Sequence, residues 1–256
     1  MEIITSVKND FIKKIKDIRD NPTDKLFLDN AKTIVDALSC GEKLEYLIIN
    51  NKKEKEIVGK YPVFCNFDYI LVGENVVEHL STTKTPQGVI AIFDYSQKRE
   101  LDLSNNFICL DNLQDPGNLG TIIRSASGTS FKNIFLINCV NPFNQKVVRS
   151  SMGGIFKLNF KTFKTPNDFI QFANDNKLKY VVADMTGKNI FKTKIDFSPI
   201  GVVVGSEGQG VSDILQKNAQ KLISIPMKNG LESLNAGVSC SIIMYSIENS
   251  WLNRFI

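Results

Sequence analysis

The side chains best suited to chemistry lie in three loops in the second half of the chain. In Asp115-Pro116-Gly117-Asn118, a rigid proline, a glycine able to take positive φ and an asparagine suited to capping make a tight turn between an apolar strand and a helix. Arg124 follows about two helical turns beyond the start of that turn, within reach of the strand ends where open α/β sheets bind ligands. Gly205-Ser206-Glu207-Gly208-Gln209-Gly210 follows a strand and precedes a helix. Glycines there let a ligand approach the backbone, and free N–H groups at the helix start can face it. The loop is not a Walker A motif, because no Lys-Ser/Thr pair follows, and its glycines do not fall in the GxGxxG spacing of a dinucleotide fingerprint. Glu207 is an acid at a strand end that needs a partner, and Arg124 is a candidate. In the third loop Pro226 leads to a helix beginning around Leu234 and Asn235. Ser233 is placed to cap that helix, and Asn235 offers a donor and acceptors at its start. Each loop alone also fits a plain structure: a turn with a surface arginine, a glycine turn, and a capped helix whose apolar face (Leu234, Val238, Ile242, Tyr245) is core.

The elements that must position these loops are readable from periodicity. In residues 9–19, Phe11, Ile12, Ile15 and Ile18 recur at helical spacing with Lys13, Lys14 and Lys16 mostly on the other side, an amphipathic helix with a basic face. A second helix is expected over residues 31–38, and strands over 46–49, 63–64 and 88–93. This alternation indicates a small α/β domain. Residues 94–105 are polar and mark a linker (96–105) between a domain of residues 1–95 and a second of residues 106–256. Strands follow over 107–110, 134–137, 180–183, 201–205 and 222–225. Helices are expected over 119–127, 168–174, 212–219 and 235–255. Continuously apolar strands such as GVVVG imply a parallel sheet covered on both faces, so the second domain is an open α/β sheet.

Composition sets the bounds. A chain of 256 residues allows two domains with cores of their own. No apolar run reaches the ~20 residues that span a bilayer and the start lacks the apolar stretch of a signal peptide, so a soluble, cytoplasmic protein with no membrane partner is expected. Five scattered cysteines suggest neither a disulfide framework nor a zinc site, and the single histidine, His79, has no cluster of ligands around it, so no metal is expected. The net charge of +4 comes from the second half of the chain and suits a polyanion without identifying one.

Taken together, in this order and spacing and all at strand ends, the three segments LDNLQDPGNLGTIIRSAS, VVVGSEGQGVS and IPMKNGLESLNAGVSCSIIMY resemble the three motifs of the SpoU-type (TrmH-like) RNA ribose 2'-O-methyltransferases of the SPOUT superfamily. Residues 146–153 (KVVRSSMG) are similar to the family's segment between the first two motifs. Thr5-Ser6 with the basic helix, and residues 80–89, look like the N-terminal substrate-binding domain of the rRNA- and tRNA-modifying branch. The resemblance implies a C-terminal trefoil-knotted parallel-sheet domain, with a smaller N-terminal α/β domain that binds RNA. S-adenosylmethionine would lie in the knot, held around Gly205, Gly208, Ile225, Leu234 and Asn235. The family works as a homodimer whose site both subunits complete. Asn118, Arg124, Glu207, Ser233 and Asn235 match its functional residues, Arg149 would approach RNA, and Lys13 and Lys14 of the basic helix would add to the RNA face. The substrate implied is a ribose in structured RNA, rRNA in preference to tRNA.

Two positions depart from the family. Its members often carry Gly-x-Arg or Gly-x-Lys after the N-terminal Phe-Leu, whereas Phe27-Leu28-Asp29-Asn30-Ala31-Lys32 has no glycine. A serine frequently follows two residues after the third-motif asparagine, and here that position is Gly237. Methyl transfer requires the ribose 2'-oxygen in line with the methyl group and loss of its proton. A guanidinium stays protonated at neutral pH. Arg124 is therefore read as an electrostatic group that holds a substrate phosphate or stabilises the developing alkoxide, oriented by Glu207. The rival readings are a catalytically inactive RNA-binding or ribosome-assembly protein with the same fold, and a nucleotide-dependent oxidoreductase, which the glycine spacing disfavours.

Overall fold

The structure is a computed structural model that describes residues 3–95, 101–229 and 233–252, with side chains as far as Asn249. It divides into two compact units, Met1–Gln97 with Phe143–Gln145 and Lys98–Pro142 with Lys146–Ile256. Of the expected linker, residues 96–100 lie outside the described residues, and Leu101 and Leu103 pack against the core of the second unit.

The first unit runs α1 (Asp10–Asp20), β1 (Lys25–Leu28), α2 (Ala31–Ser39), β2 (Leu44–Asn50), α3 (Glu54–Lys60), β3 (Ile70–Val72), α4 (Glu74–Leu80) and β4 (Val89–Asp94). Its sheet has the order β1-β4-β2-β3, with β4 antiparallel to both neighbours and β2 parallel to β3. Asn9 caps α1 by accepting from the Phe11 N–H, and the helix buries Ile12 and Ile15 against Phe27, Ile48 and Val76. Residues 63–64 form no strand. They lie in a 3-10 turn, Pro62–Asn66, whose Phe64 is buried; proline lacks the N–H that a ladder needs, and an apolar pair cannot by itself distinguish strand from turn. The glycine-free stretch after Leu28 has its own solution. Asp29 is buried and accepts from Ser81 Oγ (3.0 Å), Thr82 N (2.7 Å) and Thr82 Oγ1 (2.8 Å), tying the turn after α4 to the start of α2.

The second unit comprises β5 (Asn106–Asp111), α5 (Pro116–Ser127), β6 (Phe131–Ile137), α6 (Gln145–Ser151), β7 (Asn159–Phe163), α7 (Pro166–Asp175), β8 (Lys179–Asn189), β9 (Ile200–Gly205), α8 (Asp213–Lys217), β10 (Lys221–Ser224) and α9 (Ala236–Leu252). Gln145, the first residue of α6, is grouped with the first unit. All six strands pair in parallel in the order β10-β8-β9-β5-β6-β7, as continuously apolar strands require. Alternate residues Phe107, Cys109, Phe135, Ile137 and Val203 pack with Phe169 of α7 and Leu215 of α8. The opposite face is covered by α5 and α9, which also pack on each other. The parallel order places every strand's C-terminal end on one edge, where the three loops emerge.

Two expectations for α9 change. Residues 253–255 lie outside the described residues, and the buried stripe is Ala236, Cys240, Ile243, Met244 and Ile247, while Val238 and Tyr245 are 44% and 52% exposed. Both stripes have helical spacing, and a helix apolar on all sides gives periodicity nothing with which to choose between them.

Candidate active site

The first loop leaves β5 at Asp111 and enters α5 through a cap made by Asp115, not by the asparagine. Asp115 Oδ1 accepts from the Asn118 N–H at 2.7 Å, and Pro116 takes the first helical position, where no N–H is needed. Asn118 is thereby released from capping and turned inward, 8% exposed. Its Nδ2 donates to Glu207 Oε1 at 2.8 Å, and its Oδ1 accepts from Asn235 Nδ2 at 2.8 Å. Asn235 Nδ2 also donates to Glu207 Oε1 at 2.8 Å, and the Ala236 N–H reaches the same oxygen at 3.3 Å. The three motifs thus close into one ring of hydrogen bonds through a single carboxylate oxygen. Glu207 Oε2 has no partner among the described residues.

This ring answers the expectation that Glu207 would pair with Arg124. Arg124 is exposed on α5, six residues and about 9 Å of helix rise beyond Asn118, and makes no side-chain hydrogen bond or ion pair among the described residues. Ser233 is also corrected: the residue that caps α9 is Asn235, whose Oδ1 accepts from Gly237 N (3.0 Å) and Val238 N (3.2 Å). One asparagine therefore both starts the helix and joins the ring. A Cβ on Gly237 would lie 3.2 Å from both Thr121 and Asn235 Oδ1, closer than ordinary contact, so the family's serine would crowd the first turn of α9 here.

The second loop is a closed turn. Gly210 N donates to Ser206 O at 2.9 Å and the two residues form an isolated antiparallel bridge. A Cβ on Gly205 would lie 2.0 Å from the Gly210 carbonyl, so the glycine at 205 is required by the chain's approach to itself. Gly208 differs, because a Cβ there would meet no protein atom within 4 Å.

Beside this turn lies a cleft of about 400 Å³, within the range of small-molecule sites. Gly205, Gly208, Ile225 and Leu234, four of the five residues expected to hold the cofactor, line it, with Glu207 and Ser233 at its wall. Asn118, Arg124 and Asn235 are not among its lining residues. Sequence reasoning misses the far wall. Leu222 of β10 pairs with Val182, but Ile223 pairs with Lys188, so residues 183–187 of β8 leave the ladder and bring Ala183, Asp184 and Met185 to the cleft. Asp184 Oδ1 holds this bulge by accepting from Thr186 N (2.8 Å) and Thr186 Oγ1 (2.6 Å). Polar residues directly after the expected strand 180–183 are the one available signal.

Cys139 lies behind the first loop, its sulfur 3.3 Å from Leu113 N, Leu110 O and Ile137 O. Burial pushes its thiol up to about 11, so it stays protonated and packs as a small apolar group. Arg149 is exposed on α6. In the first unit, Lys13 pairs with Asp10 at 2.8 Å, while Lys14 donates to Tyr46 Oη at 2.9 Å and sits 3.8 Å from Glu45, so both charges have nearby partners. Among the described residues no group of three or more His, Cys, Asp or Glu side chains could hold a metal ion, and no helix is long and apolar enough to cross a membrane.

The model of the SpoU rRNA Methylase family matches residues 105–245. The chain is 31% identical to an uncharacterized tRNA/rRNA methyltransferase of Mycoplasma genitalium over 178 residues, 68% of this chain and 74% of that one. It is 23% identical to the 23S rRNA (guanosine(2553)-2'-O)-methyltransferase RlmP of Bacillus subtilis over 252 residues, 96% and 99% of the two chains. Among solved structures it is similar to an AdoMet-bound rRNA methyltransferase from Sinorhizobium meliloti, with a TM-score of 0.81 at 25% identity, covering 97% of this chain and 98% of that one.

Proposed function

Because the chain belongs to the SpoU rRNA Methylase family, we propose that it methylates a ribose 2'-hydroxyl in structured RNA, using S-adenosylmethionine. The observation that carries this reading is the ring of Asn118, Glu207 and Asn235, which couples a wall of the cleft to the helix bearing Arg124. The 2'-oxygen as acceptor is supported by the likeness to RlmP. Ribosomal RNA is the preferred substrate class, the N-terminal unit docks it, and the reaction takes place in the cytoplasm. The C-terminal unit carries the trefoil knot that the family resemblance implies.

The cleft fits the cofactor. Ile225 and Leu234 offer apolar walls for an adenine, and the open space at Gly208 admits a ligand against the backbone. When bound, S-adenosylmethionine supplies an electrophilic methyl group. The chain's own residues then have three tasks. The ring holds the Glu207 turn rigid against α5 and α9, so the cleft is shaped before substrate arrives. Arg124 presents its guanidinium to a substrate phosphate or to the alkoxide that develops at the 2'-oxygen. The departing proton goes to substrate phosphate or water, since a guanidinium cannot accept it.

Arg124 stands away from the ring of its own protomer, and α9 leaves Val238 exposed in its first turn and Tyr245 exposed about two turns further along. Both features support a homodimer in which Arg124 serves the partner's cleft. The test is methyl incorporation from labelled S-adenosylmethionine into RNA from cells lacking the gene, with the 2'-O-methyl position then mapped. Absence of incorporation, or methyl groups on bases alone, would overturn the reading. Co-expressed Arg124→Ala and Asn118→Asp chains should regain activity in the mixed dimer if the site is shared, and stay inactive if each site is complete in one chain.

A further inference from the structure

The first unit holds a cavity of its own, about 290 Å³, which takes no part in the reaction described. It lies among the end of β2, α4 and residues 84–88 before β4. Its most deeply buried polar residue is Asn50, the last of β2 and 2% exposed. The Asn50 N–H donates to the Gly88 carbonyl at 2.8 Å, its carbonyl accepts from the Lys53 N–H at 3.0 Å, and its Oδ1 accepts from the Lys52 N–H at 2.9 Å. The last contact fixes the side-chain amide, because a backbone N–H only donates and so claims the oxygen. Nδ2 has no hydrogen bond among the described residues, yet it is not one of the side-chain atoms sealed from solvent without a partner. An unbonded donor on a residue this buried therefore opens onto the cavity that Asn50 lines.

Two cations line the same space. Lys53 is half-buried along Gly88, where a Cβ would stand 3.1 Å from the Lys53 Cδ and where a φ of +91° favours glycine. Lys84 is exposed at the rim. Neither ammonium has a hydrogen bond or ion pair among the described residues. Of the two carboxylates that α4 brings to the cavity, Glu74 is taken by Lys52 at 2.9 Å. Glu78, one turn further on, has no partner among the described residues. Val77 and Pro86 add apolar wall.

We propose that this cavity holds one extruded nucleotide of the substrate RNA, distinct from the nucleotide that is methylated; the inference rests on the methyltransferase reading, which makes RNA the chain's ligand. Two free ammonium groups suit a phosphate. A bare phosphate leaves Glu78 unmatched and is repelled by it. A nucleotide adds what is missing: each of the four bases carries an N–H donor and an acceptor on its Watson–Crick edge, matching Glu78 and Asn50 Nδ2, and a flat face for Val77 and Pro86. An acceptor on Nδ2 also removes the cost of a buried donor left unbonded. The volume, at the small end of ligand sites, suits a single nucleotide and excludes a duplex.

The probe is a full-length transcript of the cellular RNA that loses a 2'-O-methyl group when the gene is deleted, bound to the full chain. Acetylation of free amines, read by peptide mass spectrometry, shows which lysines it covers. Lys53 and Lys84 should be protected by the transcript, and not by the four nucleoside 5'-monophosphates at the same nucleotide concentration, which lack the contacts made by the rest of the RNA. Asn50→Ser keeps an acceptor for the Lys52 N–H and deletes the Nδ2 donor without a change of charge. It should lower RNA affinity by about tenfold in filter binding and leave S-adenosylmethionine affinity unchanged. Lys84→Met, at an exposed position where folding is not at stake, should lower the slope of log affinity against log salt by about 0.7. Lys53 and Lys84 open to acetylation in the complex, or RNA affinity unchanged in both variants, would overturn the inference and leave methyl transfer standing. Protection by the monophosphates as strong as by the transcript would assign the cavity to a free nucleotide and overturn it too. Failure of the methyltransferase reading shows separately, as no methyl incorporation into any RNA, and takes this inference with it.

Discussion

Replacing Asn118 by aspartate exchanges a single group, the Nδ2 amine for an oxygen, at the 2.8 Å contact with Glu207 Oε1. A donor facing a carboxylate becomes a second carboxylate facing it. At that distance the repulsion between two unit charges is about 1.5 kcal/mol in bulk water and about 6 kcal/mol at an effective dielectric constant of 20. Glu207 is exposed and Asn118 is 8% exposed, so a cost of about 2–3 kcal/mol is expected, near the watery end of that range. For a chain of this size that lowers the unfolding midpoint by about 5–10 °C. The companion change Glu207→Gln removes one of the two charges: its Oε1 must go on accepting from Asn235 Nδ2 and the Ala236 N–H, so an oxygen still faces the carboxylate introduced at position 118, but a neutral one. Asn235 Nδ2, which donates to both side chains, still finds oxygens on each. Glu207→Gln alone should cost about 1 kcal/mol, since it keeps an acceptor and loses only charge assistance. The double variant should recover the part of the loss that comes from charge repulsion, giving a coupling energy of about 1–2 kcal/mol in a double-mutant cycle read by calorimetry at neutral pH. A double variant as unstable as the sum of the singles would show that these two side chains do not meet.

Arg124→Lys should leave the unfolding midpoint and the affinity for S-adenosylmethionine nearly unchanged, because the side chain bonds to no described residue, while turnover falls by about 10²–10³; near-normal turnover would refute its role. Gly205→Ala should destabilise by about 3 kcal/mol, because its Cβ would lie 2.0 Å from the Gly210 carbonyl. Gly208→Ala should instead spare stability and weaken cofactor binding, and thermal unfolding with titration calorimetry separates the two; the reverse order would contradict the geometry. Iodoacetamide at pH 8 should label Cys40 and Cys65, which are exposed, long before Cys139 and Cys240, whose thiols burial pushes up to about 11 and about 12. At pH 8 only about one in a thousand of the former would be thiolate, and peptide mass spectrometry reads the order. The unfolded chain gives up the Cys139 proton nearer the ordinary thiol value of 9.0, so the folded state holds more protons between about pH 9 and 11. Stability should therefore fall as pH rises through that window.

Much of this architecture is legible in the chain. The GVVVG run (residues 201–205) signals a strand buried on both faces, and β9 sits inside a six-stranded parallel sheet. The three polar loops are readable as strand-end loops, and a parallel order gathers such loops on one edge. Local pattern fails where two local solutions look alike. Residues 63–64 satisfy strand and 3-10 turn equally well, and α9 has two apolar stripes of the same spacing. The caps are ambiguous for a related reason: Asp115 and Asn118, or Ser233 and Asn235, are both competent capping residues. Which of each pair caps depends on where the other is needed.

That need is what tertiary structure decided. Residue types and order determined that Asn118, Glu207 and Asn235 would stand at strand ends and helix starts, because strand and helix signals are local. They could not determine which side chains would meet. A glutamate and an arginine on neighbouring loops read as an ion pair, since opposite charge is the strongest attraction that can be inferred without coordinates. In the folded chain α5 carries Arg124 about 9 Å of helix rise beyond the ring, and two amides and a backbone N–H take the carboxylate oxygen instead. Distance, which enters only when the loops are brought to one edge, decides the partner.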